Sequence, residues 1–174
     1  MDYPVELLAY VVRVSFRDAY GLEAVFDSYQ RVRVLAPELH AVTQHVWGKG
    51  DQLHSVVSQP AVLSRVAEAD GRHLLVFALT RPARYGDEIE LYTTRRIHHG
   101  FKERHEGWEF MPFTPTAKAR IAVSFPVGRE PAGLSVGTTP GARSPFVSRP
   151  GTKEIILNVS SPAVGSLYRI DWSW

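Results

Sequence analysis

The 174-residue chain contains no cysteine. That excludes a disulfide scaffold, thiolate-ligated zinc, iron–sulfur chemistry and a thiol nucleophile. Long apolar runs are missing too; none approaches the roughly 20 residues that a membrane helix requires. The N-terminal MDYPVELLAYVVRVSF places Asp2 and Glu6 ahead of an interrupted apolar stretch, unlike a secretory signal with its basic start and small-residue cleavage site. No cysteine stands near the C-terminus to carry a prenyl group. A cytoplasmic protein with no membrane partner is therefore expected. Charge of one sign is also scarce: 20 Lys+Arg against 18 Asp+Glu leave +2, a weak footprint for a polyanion partner. The surplus is uneven, because residues 1–87 hold 9 against 10 and residues 88–174 hold 11 against 8.

Helix signals are nearly absent as well. Pro112, Pro115, Pro126, Pro131, Pro140, Pro145, Pro150 and Pro162 punctuate the second half and forbid long helices there. Only residues 60–69 have moderate helix propensity, and Val62, Val66 and the following Asp70-Gly71 favour a strand.

What is present is period two. Val12, Val14 and Phe16 alternate with Arg13, Ser15 and Arg17; Ala24, Phe26, Ser28, Gln30, Val32 and Val34 alternate with Glu23, Asp27, Arg31 and Arg33. Such alternation marks strands with one wet face. Asp18-Ala19-Tyr20-Gly21 predicts a hairpin between these two, Gly48-Lys49-Gly50-Asp51 a hairpin between 41–47 and 52–58, and Asp70-Gly71 a hairpin between 62–68 and 73–80. The run HLLVFAL (73–79) predicts a central strand covered on both faces, ended by Pro82. EIELYTTRRI (88–97) alternates again. Further strands are expected at 107–113, 117–126, 132–138, 153–160 and 166–174, with a short edge strand at 145–148. Strands at this spacing with Gly/Pro turns imply one all-β domain, residues 1–174. The expected architecture is a mostly antiparallel β-sandwich of about ten to twelve strands. With 44% apolar and 22% charged residues, a chain of this length buries a sufficient core without staples.

Candidate chemistry is thin. Gly133-Leu134-Ser135-Val136-Gly137 matches the G-x-S-x-G string of a serine nucleophile elbow. The elbow needs a strained strand-to-helix turn, and the following TTPGARSP cannot start a helix, so a strand with Ser135 facing water is expected. The second cluster runs from Arg95 to Glu106. His98, His99, His105, Glu103 and Glu106 could ligate a cation. However, adjacent His98 and His99 point to opposite faces of a strand, and the neighbouring cations oppose a metal. No metal and no cofactor is expected. The same segment is the best candidate for binding anions. Arg95, Arg96, Lys102 and Arg104 offer charge, His98 and His99 donors, and Phe101 and Trp108 rings to stack on a base. No helix-turn-helix, RNP string or zinc finger accompanies it. Tyr168, Ile170, Trp172 and Trp174 alternate with Arg169, Asp171 and Ser173 and read as core; Arg169 is expected to pair with Glu154 or Glu90.

One resemblance spans nearly the whole chain. Gly71, His73, Leu75, Leu79, Arg81, Pro82, Gly86 and Asp87 fit the string G-x-H-x-L-x-x-x-L-x-R-P-x-x-x-G-(D/E), and Tyr168, Arg169, Trp172 and Trp174 fit a closing Y-R-x-x-W-x-W. The order of these pieces resembles an uncharacterised β-rich domain at the C-terminal ends of bacterial, notably actinobacterial, signalling, regulatory and effector proteins. Its motifs are structural, so the resemblance implies a non-catalytic sensing or protein-interaction module of a signalling or defence-type system. The implied partner is a protein or a fused regulatory or effector domain. A homo-oligomer through an edge strand at 132–138 or 145–148 is a further expectation. Two alternatives of other classes stand beside it: a ligand- or nucleic-acid-binding sandwich using the basic loop 95–105, and a serine hydrolase at Ser135.

Overall fold

The computed structural model describes residues 3–69, 72–140, 145–148 and 153–174, and every regular element within them is a strand. In chain order these are β1 (Val5–Phe16), β2 (Glu23–Val34), β3 (Glu38–Trp47), β4 (Asp51–Gln59), β5 (Val62–Ala69), β6 (Arg72–Arg84) and β7 (Glu88–His98). The second half adds β8 (His105–Phe110), β9 (Lys118–Ser124), β10 (Gly133–Thr138), β11 (Phe146–Ser148), β12 (Glu154–Ser160) and β13 (Tyr168–Ser173). A seven-stranded sheet in the order β11-β12-β9-β1-β2-β7-β4 is covered by two three-stranded sheets, β3-β6-β5 and β10-β13-β8. Every ladder is antiparallel except β1 with β9. The all-β, mostly antiparallel sandwich expected from the turn spacing is the fold. No helix in the described residues is long and apolar enough to cross a membrane.

Alternation explains the layers. On β2 every residue of the set Ala24, Phe26, Ser28, Gln30, Val32 and Val34 is buried, so the wet and dry faces fall where period two puts them. The inner face carries two separate apolar clusters. One unites Val12, Val14, Phe26, Ile97, Ile121 and Leu157 with Tyr168, Ile170 and Trp172 of β13. The other unites Val32 and Leu91 with Val42, Val46, Leu75 and Phe77 of β3 and β6. Fully burying such a side chain stabilises by about 1.5–3 kcal/mol, so these clusters hold the layers together.

Several local expectations are corrected. Gly48–Asp51 is not a hairpin turn, because β3 pairs with β6 and β4 pairs with β7. The tight turn carries the chain from one sheet to the other. Gly50 has φ +71°, and a Cβ there would stand 2.4 Å from the His98 carbonyl oxygen, so the turn is wedged against the end of β7. β5 and β6 pair as expected, although Asp70 and Gly71 lie outside the described residues. HLLVFAL is central in its sheet, but only Leu75 and Phe77 are fully buried; Leu74, Val76 and Ala78 on the other face are half-buried. Pro82 does not end β6. The strand runs on to Arg84 beyond a register irregularity between Leu39 and Ala41 on its partner, which fits a residue that cannot donate to a ladder. β8 starts at His105 and stops at Phe110, shifted from the expected 107–113. β10 and β11 are sheet edges, as anticipated.

Candidate binding cleft

The two covering sheets meet at a gap, and the gap is a cleft of about 520 Å³. The edge strands β3 and β8 form its walls, and the inner face of the large sheet forms its floor. Tyr10, Phe26, Gln30, Gln52 and Arg95 line the floor; Gln44, His45 and Trp47 come from β3, and Glu106, Trp108, Glu109 and Phe110 from β8. The Trp47 Nε1–H donates to Glu109 Oε2 across the gap at 3.2 Å.

The buried layer at and beside the floor is polar where an apolar one would be expected. Ser28 and Thr93 are cross-strand partners whose hydroxyls hydrogen-bond at 2.6 Å, and Gln44 Nε2 donates to Ser28 Oγ at 3.2 Å. Beside them Arg95 pairs in register with Phe26 and lays its guanidinium over that ring, 4.1 Å from the centroid. Arg95 is only 2% exposed. Its Nη1–H donates to the Gln52 carbonyl oxygen at 3.0 Å, while its Nε and the Gln52 Oε1 are buried without a partner. Burial pulls the guanidinium down to about 10, so it remains protonated at neutral pH. Burial also pushes the Tyr10 phenol up to about 12, against the opposing pull of Arg95 and Gln44, which keeps Tyr10 a neutral hydroxyl. On the walls, burial raises Glu106 above the usual carboxylate range, opposed by the Glu103 backbone N–H that donates to it. His45 is lowered by burial and then by Arg72, and its ring stacks on Phe113 with centroids 4.0 Å apart.

The basic segment does not form one site. Period two splits it, with Arg95 pointing inward and Arg96 outward, where it lies 3.9 Å from Glu23. His98 ends β7 and stacks on His54 with centroids 3.7 Å apart; His99 is exposed with φ +59°. Phe101 offers no platform for a base, because it is buried against Phe16 and Trp172. Lys102 and Arg104 are exposed, away from the cleft lining. Trp108 is half-buried and packs on Phe26. The cleft therefore gathers Arg95 and Trp108, touches Phe101 at its end, and leaves out Arg96, His98, His99, Lys102 and Arg104.

Ser135 sits mid-strand in β10, exposed and opposite Asp171 of β13, so the strained elbow turn that would activate it is absent. Arg169 pairs with Glu109 at 3.4 Å and with Asp171, not with Glu154 or Glu90. Glu154 instead faces Arg13, and Glu90 accepts from Tyr29. No group of three or more His, Asp or Glu side chains among the described residues is placed to hold a metal ion.

The sequence gives no sign that Tyr10, Gln30 and Gln52 of the floor and Gln44 of the β3 wall come together at one site. Arg95 stands out in it, but for a solvated loop. A usable signal for the polar layer existed, since Ser28, Gln30, Thr93 and Arg95 are the polar residues in phase with the buried positions of β2 and β7.

No protein-family model and no curated protein matches the chain. Solved structures do resemble it. A crystal structure assigned as a protease of Parabacteroides distasonis superposes with a TM-score of 0.58 at 12% identity, covering 98% of this chain and 40% of its own. The M1 zinc metallopeptidase of Deinococcus radiodurans gives 0.52 at 12% identity, covering 96% and 42%. At this identity the likeness shows the fold alone, and the chain spans about two fifths of the length of these proteins.

Proposed function

We propose that this chain is a non-catalytic sensing module of a bacterial signalling or defence-type system, with the cleft between its layers as the recognition site. The observation that carries the reading is the cleft: about 520 Å³, aromatic on its walls and polar on its floor. Ligand sites fall in the range of roughly 300–1,000 Å³ with a few placed polar groups. The motifs shared with bacterial signalling proteins supply the context, and a fused or separate effector domain is the partner that a sensor needs. A thermal-shift screen of metabolites on the wild type and on Ala41→Trp, which adds an indole to the β3 part of the cleft lining, tests it. Ligands that stabilise the wild type and lose their effect in the variant are expected. Ligands that stabilise both equally, or turnover of any screened compound, overturn the reading.

The fold likeness favours a second reading, an accessory β domain of a larger hydrolytic enzyme. An antibody against the chain separates the two in the native host. A band several times larger than 19.5 kDa that co-purifies with peptidase activity supports the second.

A further inference from the structure

We infer that the cleft takes a monocarboxylate with an apolar body, its carboxylate seated against Arg95; this rests on the cleft being the recognition site. Arginine carries five N–H donors and no acceptor. Of those on Arg95 the described hydrogen bonds account for one, to the Gln52 carbonyl, and the buried Nε has no partner. No ion pair among the described residues involves Arg95. A buried cation is ordinarily paired with an anion, because taking it out of water costs several kcal/mol. Here the side chain lines the cleft, and the face of Phe26 beneath it supplies only a quadrupole. The missing partner is an anion, and the cleft that Arg95 lines is the space beside it.

The surroundings select the class of anion. A guanidinium fork matches a carboxylate with two parallel bonds, and the neutral hydroxyl of Tyr10 lies on the same floor. A phosphate dianion wants a second free cation. The other cations of the lining are committed: Lys49 to Glu103 at 2.6 Å, and Arg169 to Glu109 and Asp171. Glu106 and Glu109 on the β8 wall add repulsion against a dianion. The rings of Trp108, Phe110 and Phe113 and the side chain of Met111 complete an apolar wall for the rest of the ligand.

The test uses the full chain with indole-3-acetate, phenylacetate and decanoate, each beside its neutral amide, read by calorimetry. At least one acid is expected to bind tenfold or more tightly than its amide, and Arg95→Met to abolish that preference. Arg95→Lys keeps the charge without the fork; it is expected to retain the preference at lower affinity and serves if Arg95→Met does not fold. A free acid and the C-terminus of a peptide present the same group, so an acetylated tripeptide acid is run alongside. Tight binding by either, lost in Arg95→Met, upholds the assignment and names the source. Amides that bind as tightly as acids, or a preference that survives Arg95→Met, overturn the carboxylate and leave the cleft standing. Binding by no probe also overturns it, and the Ala41→Trp screen then judges the cleft independently.

Discussion

Replacing Arg95 by methionine should stabilise the free protein. The guanidinium is almost fully withdrawn from water, and that burial pulls its pKa well below the usual arginine value, to about 10. At 1.36 kcal/mol per unit, the charged form is disfavoured in the folded state by about 3 kcal/mol. Methionine is unbranched and fills the same channel above Phe26, where a sulfur–ring contact of about 0.3–1.5 kcal/mol replaces part of the cation–ring attraction. The substitution leaves the Gln52 carbonyl without its donor, which costs about 1 kcal/mol at the low end of such penalties. The balance is a gain of about 1–3 kcal/mol, in line with the replacement of other buried charges by apolar residues. Urea unfolding of both proteins, with equal m-values, measures it. The sign with pH follows from the lowered folded pKa. The unfolded chain holds more protons only from about pH 10 up to the higher, ordinary arginine value, so the penalty is constant below pH 10 and fades above it. The gain must therefore be the same at pH 5 and pH 9. A loss of more than 1 kcal/mol in Arg95→Met would show that the guanidinium already has its partner within the fold, and the reasoning would fail.

Two further outcomes test the architecture around the cleft. Asp18 accepts the backbone N–H groups of Tyr20, Leu22 and Glu23 at 2.7, 3.1 and 2.6 Å; although burial opposes them, these bonds hold its carboxyl below the usual range. Its contribution is therefore present above the unfolded pKa near 4 and is lost as pH falls through the lower folded value. Asp18→Ala should cost about 1 kcal/mol at pH 7, reduced for solvent exposure, and the difference in urea midpoint should vanish near pH 2; an undiminished difference at pH 2 refutes the hydrogen-bonding account. Gly21 has φ +70°, and a Cβ there would meet the Phe101 carbonyl oxygen at 2.0 Å. Gly21→Ala should therefore cost more than about 2 kcal/mol, and a melting temperature within a degree of the wild type would show that the turn does not dock on the 99–101 segment.

The fold was largely legible because alternation is a local property. β1, β2 and β7 emerged with their faces, since Arg13 beside Val12 and Val14, or Glu90 beside Leu91, declares which side is wet. Strand partnership was not local and so failed in places. A Gly-rich turn such as Gly48–Gly50 serves a hairpin or a passage between sheets equally well, and only the pairing of β3 with β6 and β4 with β7 decides. The basic segment misled for a related reason. Counting charges from Arg95 to Arg104 treats them as one patch, whereas β7 alternation drives Arg95 inward in phase with Leu91 and Ile97. Phe101 lies beyond β7, and its burial against Phe16 and Trp172 is a tertiary outcome with no periodic trace.

That phase argument also explains why the cleft is built in rather than left over from poor packing. β2 and β7 are 12 and 11 residues long, roughly 36–40 Å at about 3.3 Å per residue. The six-residue strands β8 and β13 cover roughly 20 Å. One short sheet therefore serves the Phe26–Ile97 end, and β3 and β6 serve the Val32–Leu91 end. Between the ends, the inward positions of the same two strands change character to Ser28, Gln30, Thr93 and Arg95. An accidental void would be lined by the same aliphatic residues as the cores beside it, and its cost would rise with its volume. Here Gln30 and Arg95 line the cleft while Ser28 and Thr93 are buried beside it against Gln44, and three of the four are joined to Gln44 or to the Gln52 backbone by hydrogen bonds. The cleft and the polar stripe meet at Gln30 of β2 and Arg95 of β7, which is what a site requires and a packing defect does not.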